Sequence, residues 1–516
     1  MKIEKKVLFL ERSEIEIGVI RKSYDMKLVP PSGKAFMEFM EKKWGLCFER
    51  GRDGSYAHRM PYGVKFETEQ AKLSPLGVGG DAPWETTVSY ATVLYDEEEK
   101  LYKIWYGVSP GKEGTEGLTS LNGRLPDGVM LTGYATSEDG WHWNKPDLGA
   151  WKWKDKGTNL LPGGSLSSTG LCIDPNPGTT KYKAFKDNCD PPANAHDNRT
   201  AKERSYLTYQ VSDDGIKWRT EGKVHIPGFF DSQNILAYDR VLGKYVGYLR
   251  GHENGRSILR VEGDQAGHFS EPQTVLKPDN ADPLDVDFYC NGFTVYPYDP
   301  TIRLMFPTVY THHNDLLNIR MAVSRDGRNF EWITRDYVTN GLDENCEELK
   351  TLYAMHDMVP LGDRVGVPIM TQNHYHERTF HEWFYELPAP GSRYLWATWE
   401  RDRLAGLVAD MQGEFCTPPI RLDGDRLLIN GITHGLGHIR VEILFADPNP
   451  ENTNDTPGPG VSLEKGDEMR GNIRWAEYTW NGNADLSSLR GETVVIRFLL
   501  LSAKIFGYAI ADSNKD

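Results

Sequence analysis

Residues 133–143, GYATSEDGWHW, decide the fold because the same phrase recurs twice further along the chain. Its relatives are TYQVSDDGIKW, which ends at Trp218, and RMAVSRDGRNF, which ends at Phe330. Each joins an alternating, strand-like run to a Ser-x-Asp-Gly turn. In such a turn the Asp side chain can accept hydrogen bonds from the backbone, and Gly takes a left-handed conformation. The phrase therefore predicts a β-hairpin that is closed by its own turn.

The three turns are widely spaced. Their serines, Ser137, Ser212 and Ser324, are 75 and 112 residues apart, and recurrence of this kind indicates repeated β-units. The turn resembles the Asp-box of sialidase-like and other β-propellers, which lies on the outside of the blades. The aspartates at the three turns are therefore expected to be structural: Asp139, Asp214 and Asp326.

A second phrase recurs five times, as an apolar strand, a polar turn and another strand rich in aromatic or apolar residues. Its copies are TTVSYATVLYDEEEKLYKIWYG (86–107), STGLCIDPNPGTTKYKAFKD (168–187), QNILAYDRVLGKYVGYLRG (233–251), GFTVYPYDPTIRLMFPTVY (292–310) and MHDMVPLGDRVGVPIMTQ (355–372). Five units of about four antiparallel strands predict a five-bladed β-propeller over residues 84–410. Two stacked sandwiches, the main alternative, would not need the same phrase five times.

The segments on either side of the propeller differ from it in their pattern of strands, helices and loops. Residues 1–83 are interpreted as an extension of strand and helix that packs on the propeller, with the helix over residues 32–44. Residues 411–516 alternate short strands with loops rich in Pro, Asn and Gly, which is typical of a β-sandwich. We therefore expect an all-β protein in which a five-bladed propeller is followed by an accessory sandwich.

Composition excludes several classes of protein. The net charge is −15 and no basic stripe is present, which argues against nucleic acid as a partner. The six cysteines are far apart and form no CxxC pair, so they are interpreted as free thiols rather than a zinc ribbon or a disulfide framework. No apolar run approaches the roughly 18 residues of a membrane span or the core of a signal peptide. We expect a cytoplasmic protein without a membrane partner, with a secreted protein whose signal has been removed as the alternative. Formation of a homo-oligomer stays open.

The candidate site follows from propeller geometry, because the first strand of every blade begins near the axis. Three strand starts carry a carboxylate: Glu85, Asp231 and Asp287. Carboxylates in pairs suit glycoside cleavage, and burial beside a like charge should raise the pKa of one of them. The 14 Trp, 25 Tyr and 19 Phe also suit stacking against sugars. The predicted substrate-binding residues are Trp84, Asp285, Tyr289, Asn291, Glu348, His356, His376 and Arg378.

A metal site is the less favoured interpretation of the histidines. Alternation on a strand would place His374 and His376 on one face, but no third ligand is fixed by the sequence. Sugar contacts by His376 and Arg378 are preferred. Neither a phosphate-binding glycine loop nor a dinucleotide fingerprint occurs, so no cofactor is expected.

The five hairpins, the stretch DPLDVDFYCNGFTVYPY, the SRDG turn and the sandwich that follows LVADMQGEFCTPPI resemble glycoside hydrolases of the invertase and arabinanase type. The likeness is to the superfamily of families 32 and 43, and especially to bacterial members with a C-terminal sandwich. It implies a glycosidase that acts on furanosides or short oligosaccharides. It also implies Asp231, in the third blade, as the general acid. Glu85 is then the predicted nucleophile or base, and Asp287 is expected to orient the substrate or tune the pair. A carbohydrate-binding propeller without catalysis remains the alternative.

Overall fold

The structure is a computed structural model that describes residues 1–16, 61–120, 123–124, 130–162, 166, 169–176, 178–190, 193, 200–224, 226, 228, 230–264, 267–372, 374–377, 392–446 and 456–513. The predicted helix over 32–44 lies outside these residues. Within them, α-helix is confined to α1 (Gly111–Gly117) and α2 (Ala201–Arg204). Neither helix has the length or apolar character needed to cross a membrane. The described cysteines are free thiols: Cys172, Cys189, Cys290, Cys346 and Cys416.

The remaining regular structure of the described residues is β-strand, apart from three short 3-10 turns. The first strands, in chain order, are β1 (Lys2–Leu8), β2 (Lys65–Thr68), β3 (Lys72–Pro75), β4 (Thr87–Asp96), β5 (Leu101–Ser109), β6 (Leu118–Ser120), β7 (Gly123–Arg124), β8 (Leu131–Ser137), β9 (Trp151–Trp153), β10 (Lys156–Gly157), β11 (Thr169–Ile173), β12 (Tyr182–Cys189), β13 (Ser205–Ser212), β14 (Arg219–Val224), β15 (Asn234–Asp239), β16 (Lys244–Gly251), β17 (Ser257–Gly263) and β18 (Gln273–Leu276). They are followed by β19 (Val286–Phe288), β20 (Thr294–Val295), β21 (Arg303–Met305), β22 (Thr308–Thr311), β23 (Leu316–Ile319), β24 (Ala322–Ser324), β25 (Glu331–Trp332), β26 (Thr351–Ala354), β27 (Val359–Leu361), β28 (Arg364–Gln372), β29 (Arg393–Glu400), β30 (Ala405–Cys416), β31 (Ile420–Arg421), β32 (Arg426–Phe445), β33 (Thr456–Pro457), β34 (Asn472–Glu477) and β35 (Thr493–Asp512).

The chain forms two compact units. One comprises Gln70–Arg401, and the other combines Met1–Glu69 with Asp402–Asp516. These boundaries differ from the predicted ones at 83/84 and 410/411. The difference arises because strands near the N-terminus pair with strands that are distant in sequence.

The unit Gln70–Arg401 is a five-bladed β-propeller. Its blades, in order, are β4-β5-β8, β11-β12-β13-β14, β15-β16-β17-β18, β20-β21-β24-β25 and β26-β28-β29-β3. In the fourth blade each of the first three strands is interrupted and therefore counted twice. The additional segments are β19, β22 and β23, which pair with one another in the same order. First strands of different blades run side by side and parallel, as in the pairing of Thr169 with Asn234 and of Thr92 with His356. The predicted all-β propeller is thus confirmed.

The ring is closed by a strand from the beginning of the unit. Strand β3 is the outermost strand of the fifth blade and pairs antiparallel with β29, from Pro75 opposite Leu395 to Lys72 opposite Thr398. Leu73 on this strand is buried. The propeller therefore begins before residue 84, because its last blade is completed by residues 72–75.

The three Ser-x-Asp-Gly turns have the predicted geometry. In the second blade, Asp214 Oδ1 accepts the N–H groups of Ile216 and Lys217 at 2.8 and 2.7 Å, while Ser212 Oγ accepts the N–H of Gly215 at 2.9 Å. The turns at Asp139 and Asp326 repeat these bonds. The turn glycines have φ of 79°, 73° and 71°, where a side chain would be strained.

Each turn also binds the preceding blade. The glycine carbonyl accepts a hydrogen bond from an aromatic side chain of that blade, which joins the fifth blade to the first, the first to the second and the third to the fourth. The pairs are Trp396 Nε1 to Gly140 O at 3.0 Å, Trp105 Nε1 to Gly215 O at 2.6 Å and Tyr248 Oη to Gly327 O at 2.7 Å.

The recurring hairpin turns make a second set of contacts between blades. In three blades, a buried aspartate at the end of the first strand accepts hydrogen bonds from a side chain on the second strand of the next blade. The pairs are Asp96 with Tyr182 at 2.8 Å, Asp174 with Tyr245 at 2.5 Å and Asp239 with Arg303 at 2.6 and 2.7 Å. The repeated Tyr/Asp phrase in the sequence therefore records how the blades are joined.

The second unit is a β-sandwich made from one folded sheet. Strands β32 and β35 are each 20 residues long, and their pairing shifts register between Thr433 and His438. Such bulges bend strands, and the two ends of the sheet enclose an apolar core. Strand β1 pairs with β35, and β2 pairs with β30. The described N-terminal strands through residue 69 therefore belong to the sandwich and not to an extension of the propeller.

Candidate functional site

A buried amide closes the propeller axis. Gln233, on the third blade, donates from Nε2 to Ala91 O of the first blade at 2.7 Å and accepts the N–H of His356 of the fifth blade at 3.2 Å. Asn291 of the fourth blade lies 3.5 Å from Gln233 O and 3.3 Å from Tyr248 O. The predicted sugar contacts Asn291 and His356 are thus 3% and 2% exposed and hold blades together.

Aromatic and charged side chains gather where the first strands begin. We call this group the axial cluster, and Tyr289 is at its centre. Its members are Tyr90, Asp187, Asp231, Arg250, Arg256, Asp287, Tyr289, Cys290, Tyr310, His312, Tyr353 and His376. The Tyr289 ring lies 5.5 Å from Tyr353 and 4.9 Å from His376. Burial, together with nearby Cys290 and Asp231, raises the pKa of Tyr289 to about 12, so its hydroxyl keeps its proton.

Asp287 is held on one side of the cluster. Its Oδ2 lies 3.0 Å from Arg256 Nη1 and 3.1 Å from His312 Nε2, and the guanidinium of Arg256 sits 4.7 Å from the Tyr289 ring centroid. The Asp287 side chain is only 8% exposed. Within the described part of the chain, its Oδ1 has no hydrogen-bond partner. A buried carboxylate oxygen in this position is suited to accept a hydrogen bond from a hydroxyl group.

His376 occupies the side of the cluster nearer the fifth blade. Its Nδ1 is 2.7 Å from Tyr353 Oη, and its ring packs 5.0 Å from that of Tyr310. Burial lowers the pKa of His376, which favours the neutral imidazole. His376 thus lies against aromatic rings of the axial cluster, and its contact with a sugar stays a prediction.

Asp187 and Asp231 form the carboxylate pair of the cluster. Asp187, near the end of β12, is partly buried, whereas the Asp231 side chain is 70% exposed and lies 3.7 Å from Arg250 Nη1. Burial raises the pKa of Asp187 to about 7, and the negative charge of Asp231 adds to this effect. The pKa of about 7 therefore belongs to Asp187, which is not one of the three predicted carboxylates.

Glu85 lies in a separate network of the first blade. Its carboxylate accepts hydrogen bonds from Lys145 Nζ at 2.9 and 2.7 Å and from Tyr106 Oη at 2.7 Å, and its side chain is 0% exposed. Burial raises the pKa of Glu85, against the opposing effect of Lys145. Trp84 belongs to the same network through Asn159, with Nε1 to Oδ1 at 3.2 Å. The described contacts do not link Glu85 to Asp231 or Asp287.

The remaining predicted residues lie away from the centre. Asp285 bonds His313 Nδ1 at 2.5 Å on the surface. Glu348 is 61% exposed and is paired with Lys350. Arg378 lies outside the described residues. Of the predicted site residues, the cluster therefore unites Asp231, Asp287, Tyr289 and His376.

The histidine pair does not form a shared face. Strand β28 ends at Gln372, so residues 374–377 follow the strand rather than continuing its alternation. His374 Nδ1 lies 2.6 Å from Tyr375 O, while His376 contacts Tyr353. In the part of the chain that the structure describes, no group of three or more His, Cys, Asp or Glu side chains has the arrangement of a metal site.

Comparison with known proteins finds similarity at the level of structure. No family model matches the chain, and no curated protein does. Similar solved structures include an N-acetylgalactosamine deacetylase from F. plautii in complex with blood group B trisaccharide, with 13% identity over 66% of this chain and 97% of that chain and a TM-score of 0.40. A family 43 arabinoxylan arabinofuranohydrolase from Bacillus subtilis has 10% identity over 85% and 99%, with a TM-score of 0.35. The β-1,2-mannobiose phosphorylase from Listeria innocua has 11% identity over 65% and 96%, with a TM-score of 0.41.

Glycoside hydrolases are thus among the similar structures, as the resemblance implied. The three proteins are named for three different reactions. At these identities and TM-scores they do not decide the chemistry of this chain, which has to be argued from its own residues.

Sequence reasoning missed Asp187 because it considered only the beginnings of first strands. Asp187 is near the end of the second strand of its blade, which runs antiparallel to the first and returns to the same end of the propeller. A search that included the ends of second strands would have found it, since the phrase KAFKD ends at Asp187.

Proposed function

We propose that the propeller is a glycosidase in which Asp187 and Asp231 are the reacting carboxyl groups. The observation that carries the proposal is the raised pKa of Asp187 beside the exposed carboxylate of Asp231, at the aromatic axial cluster. Glycoside cleavage requires one carboxyl group that gives a proton and one that is charged. A furanoside or a short oligosaccharide is the proposed substrate, on the basis of the sequence resemblance.

In this mechanism Asp187 protonates the glycosidic oxygen while the bond from that oxygen to the anomeric carbon breaks. Asp231 either attacks the anomeric carbon or removes a proton from the attacking water. The assignment reverses the role that the resemblance implied for Asp231, because Asp187 is the more buried member and the one with the raised pKa.

The rest of the cluster would hold the sugar. Tyr289 offers a partly exposed ring and a protonated hydroxyl, and Asp287 Oδ1 can accept a sugar hydroxyl. Arg256 and His312 keep the Asp287 carboxylate in position. Glu85, with no accessible surface, has no part in the reaction.

The test is a screen of aryl glycosides, furanosides first, together with digestion of oligosaccharides. Asp187→Asn and Asp231→Asn should each lower kcat on any substrate found by about 100-fold or more. Asp213→Asn is the matched control, because Asp213 is a 78% exposed carboxylate of the same blade and should leave turnover unchanged. Full turnover in both cluster variants would overturn the proposal. Glycan binding without turnover by the unaltered protein would favour the carbohydrate-binding alternative.

A further inference from the structure

A cavity lies between the second and third blades, and its lining includes no member of the axial cluster. Its volume is about 650 Å³, within the range of small-ligand sites. It is lined by the first hairpin turn of each blade, including Thr180 and Gly243, and by the outer strands of the second blade. The cavity and the axial cluster share strand β12, along which Lys183 of the cavity and Asp187 of the cluster lie about 13 Å apart.

Tyrosine rings form one part of this cavity. Tyr238 and Tyr245 pack edge to face with centroids 5.1 Å apart, and Tyr209 lines the same space. The charge of Lys183 is neutralised by Asp174, with Nζ and Oδ2 2.8 Å apart. Tyr209 and Tyr245 are only 6% and 5% exposed, so the aromatic surface that the cavity offers is mainly the partly exposed ring of Tyr238, over an ion pair that is already satisfied.

The rim of the cavity carries charges of both signs. Arg219 is paired with Glu221 at 2.9 Å, and Asp264 is 85% exposed. Asn176 and Thr179 add amide and hydroxyl groups to the lining. An anionic ligand would meet Glu221 and Asp264, and a cationic ligand would meet Arg219. This balance favours a neutral ligand with many hydroxyl groups.

We infer that this cavity is a second carbohydrate site, which binds one or two units of a neutral oligosaccharide without cleaving it. The ring of Tyr238 contacts the apolar face of the sugar, and the rim exchanges hydrogen bonds with the sugar hydroxyls. The site does not depend on the proposed reaction, because Asp187 and Asp231 are not part of it. It would hold a glycan chain on the propeller while another part of the chain reaches the axial cluster.

Calorimetric titration of the full chain carrying Asp187→Asn, which should slow turnover about 100-fold or more, tests the inference. The probes are xylotriose, arabinotriose, cellotriose and mannotriose. Adding Thr180→Trp should fill the cavity and abolish binding at one site, and the double change Arg219→Ala with Glu221→Ala should weaken that site on the order of 10-fold. Lys217→Ala, an exposed cation of the same blade outside the cavity, should leave both affinity and stoichiometry unchanged.

The outcomes separate this site from the proposed active site. Two results together support the inference. Adding Thr180→Trp to the Asp187→Asn protein removes one binding site, and Thr180→Trp alone leaves hydrolysis of a short aryl glycoside unchanged. If only one site binds and Thr180→Trp removes it, the cavity is confirmed while the axial cluster loses its role. The inference is overturned if none of the four probes binds, or if Thr180→Trp changes neither affinity nor stoichiometry.

Discussion

The roles proposed for Asp187 and Asp231 rest on the difference between their surroundings. Asp187 is partly buried, and this burial raises its pKa to about 7, while the Asp231 side chain is 70% exposed. Two carboxyl groups whose environments separate their pKa values are the usual basis of acid and base assignments in glycosidases.

The pKa of Asp187 can be measured directly. Its carboxyl carbon should titrate near pH 7 in an NMR experiment, and Asp231→Asn should lower the midpoint because a nearby negative charge is removed. Since the folded-state pKa lies above the reference value of 3.8, protonation stabilises the fold fully at pH below that value. This contribution is lost as pH rises through about 7. An identical midpoint in both proteins would show that the two groups do not interact.

Glu85 should behave as a structural residue. Glu85→Gln removes the charged partner of Lys145 inside the first blade and should lower the free energy of unfolding by about 1–3 kcal/mol. Turnover of the folded protein should stay within about threefold of the original, since the side chain is enclosed. Asp81→Asn, at the exposed end of the same network, is the control. If Glu85→Gln keeps its fold but loses most of its turnover, Glu85 takes part in the reaction.

At the scale of the element, the Ser-x-Asp-Gly turn is both a hairpin closure and a link between blades. The side chain of the aspartate orders the turn, and the glycine carbonyl then faces an aromatic residue of the preceding blade. Sequence analysis predicted the first role from residue types. It could not predict the second, because the partner Trp105 is 110 residues away from Gly215.

Asp214→Ala should therefore destabilise the propeller. Loss of the acceptor for Ile216 and Lys217 should lower the free energy of unfolding by about 1–2 kcal/mol. Asp214→Asn, which keeps an acceptor oxygen, should lose less. Asp213→Ala is the neighbouring control and should stay within about 0.5 kcal/mol. Urea denaturation measures all three; equal stability of Asp214→Ala and Asp213→Ala would contradict the role of the turn.

At the scale of the whole molecule, the number of blades was predictable from the sequence, but the strand that closes the ring was not. Five hairpin phrases and three turns predicted five blades because each is a local pattern. The pairing of β3 with β29 joins residues more than 300 positions apart and leaves no local signal. The same applies to β1, whose partner is the last strand of the chain. The candidate site was predicted in part, since strand starts identified Asp231, Asp287 and Tyr289 but not Asp187.

Closure by β3 predicts that a residue far from the fifth blade in sequence supports its stability. Leu73 is 5% exposed, and Leu73→Ala should lower the free energy of unfolding by about 2–4 kcal/mol. Lys72→Ala, on the exposed face of the same strand, should have little effect. Denaturation followed by tryptophan fluorescence compares the two. If both variants unfold at the same denaturant concentration, β3 does not contribute to the core of the blade.

The most direct measurement of the central claim is the dependence of Asp187→Asn on the leaving group. A general acid is needed when the departing oxygen is basic and is nearly dispensable when it is a good leaving group. Asp187→Asn should therefore lower kcat/KM about 100-fold or more for alkyl glycosides and oligosaccharides, and much less for nitrophenyl glycosides of the same sugar. Equal losses on both kinds of substrate would contradict the assignment of Asp187 as the acid, and unchanged rates on both would remove it from the reaction.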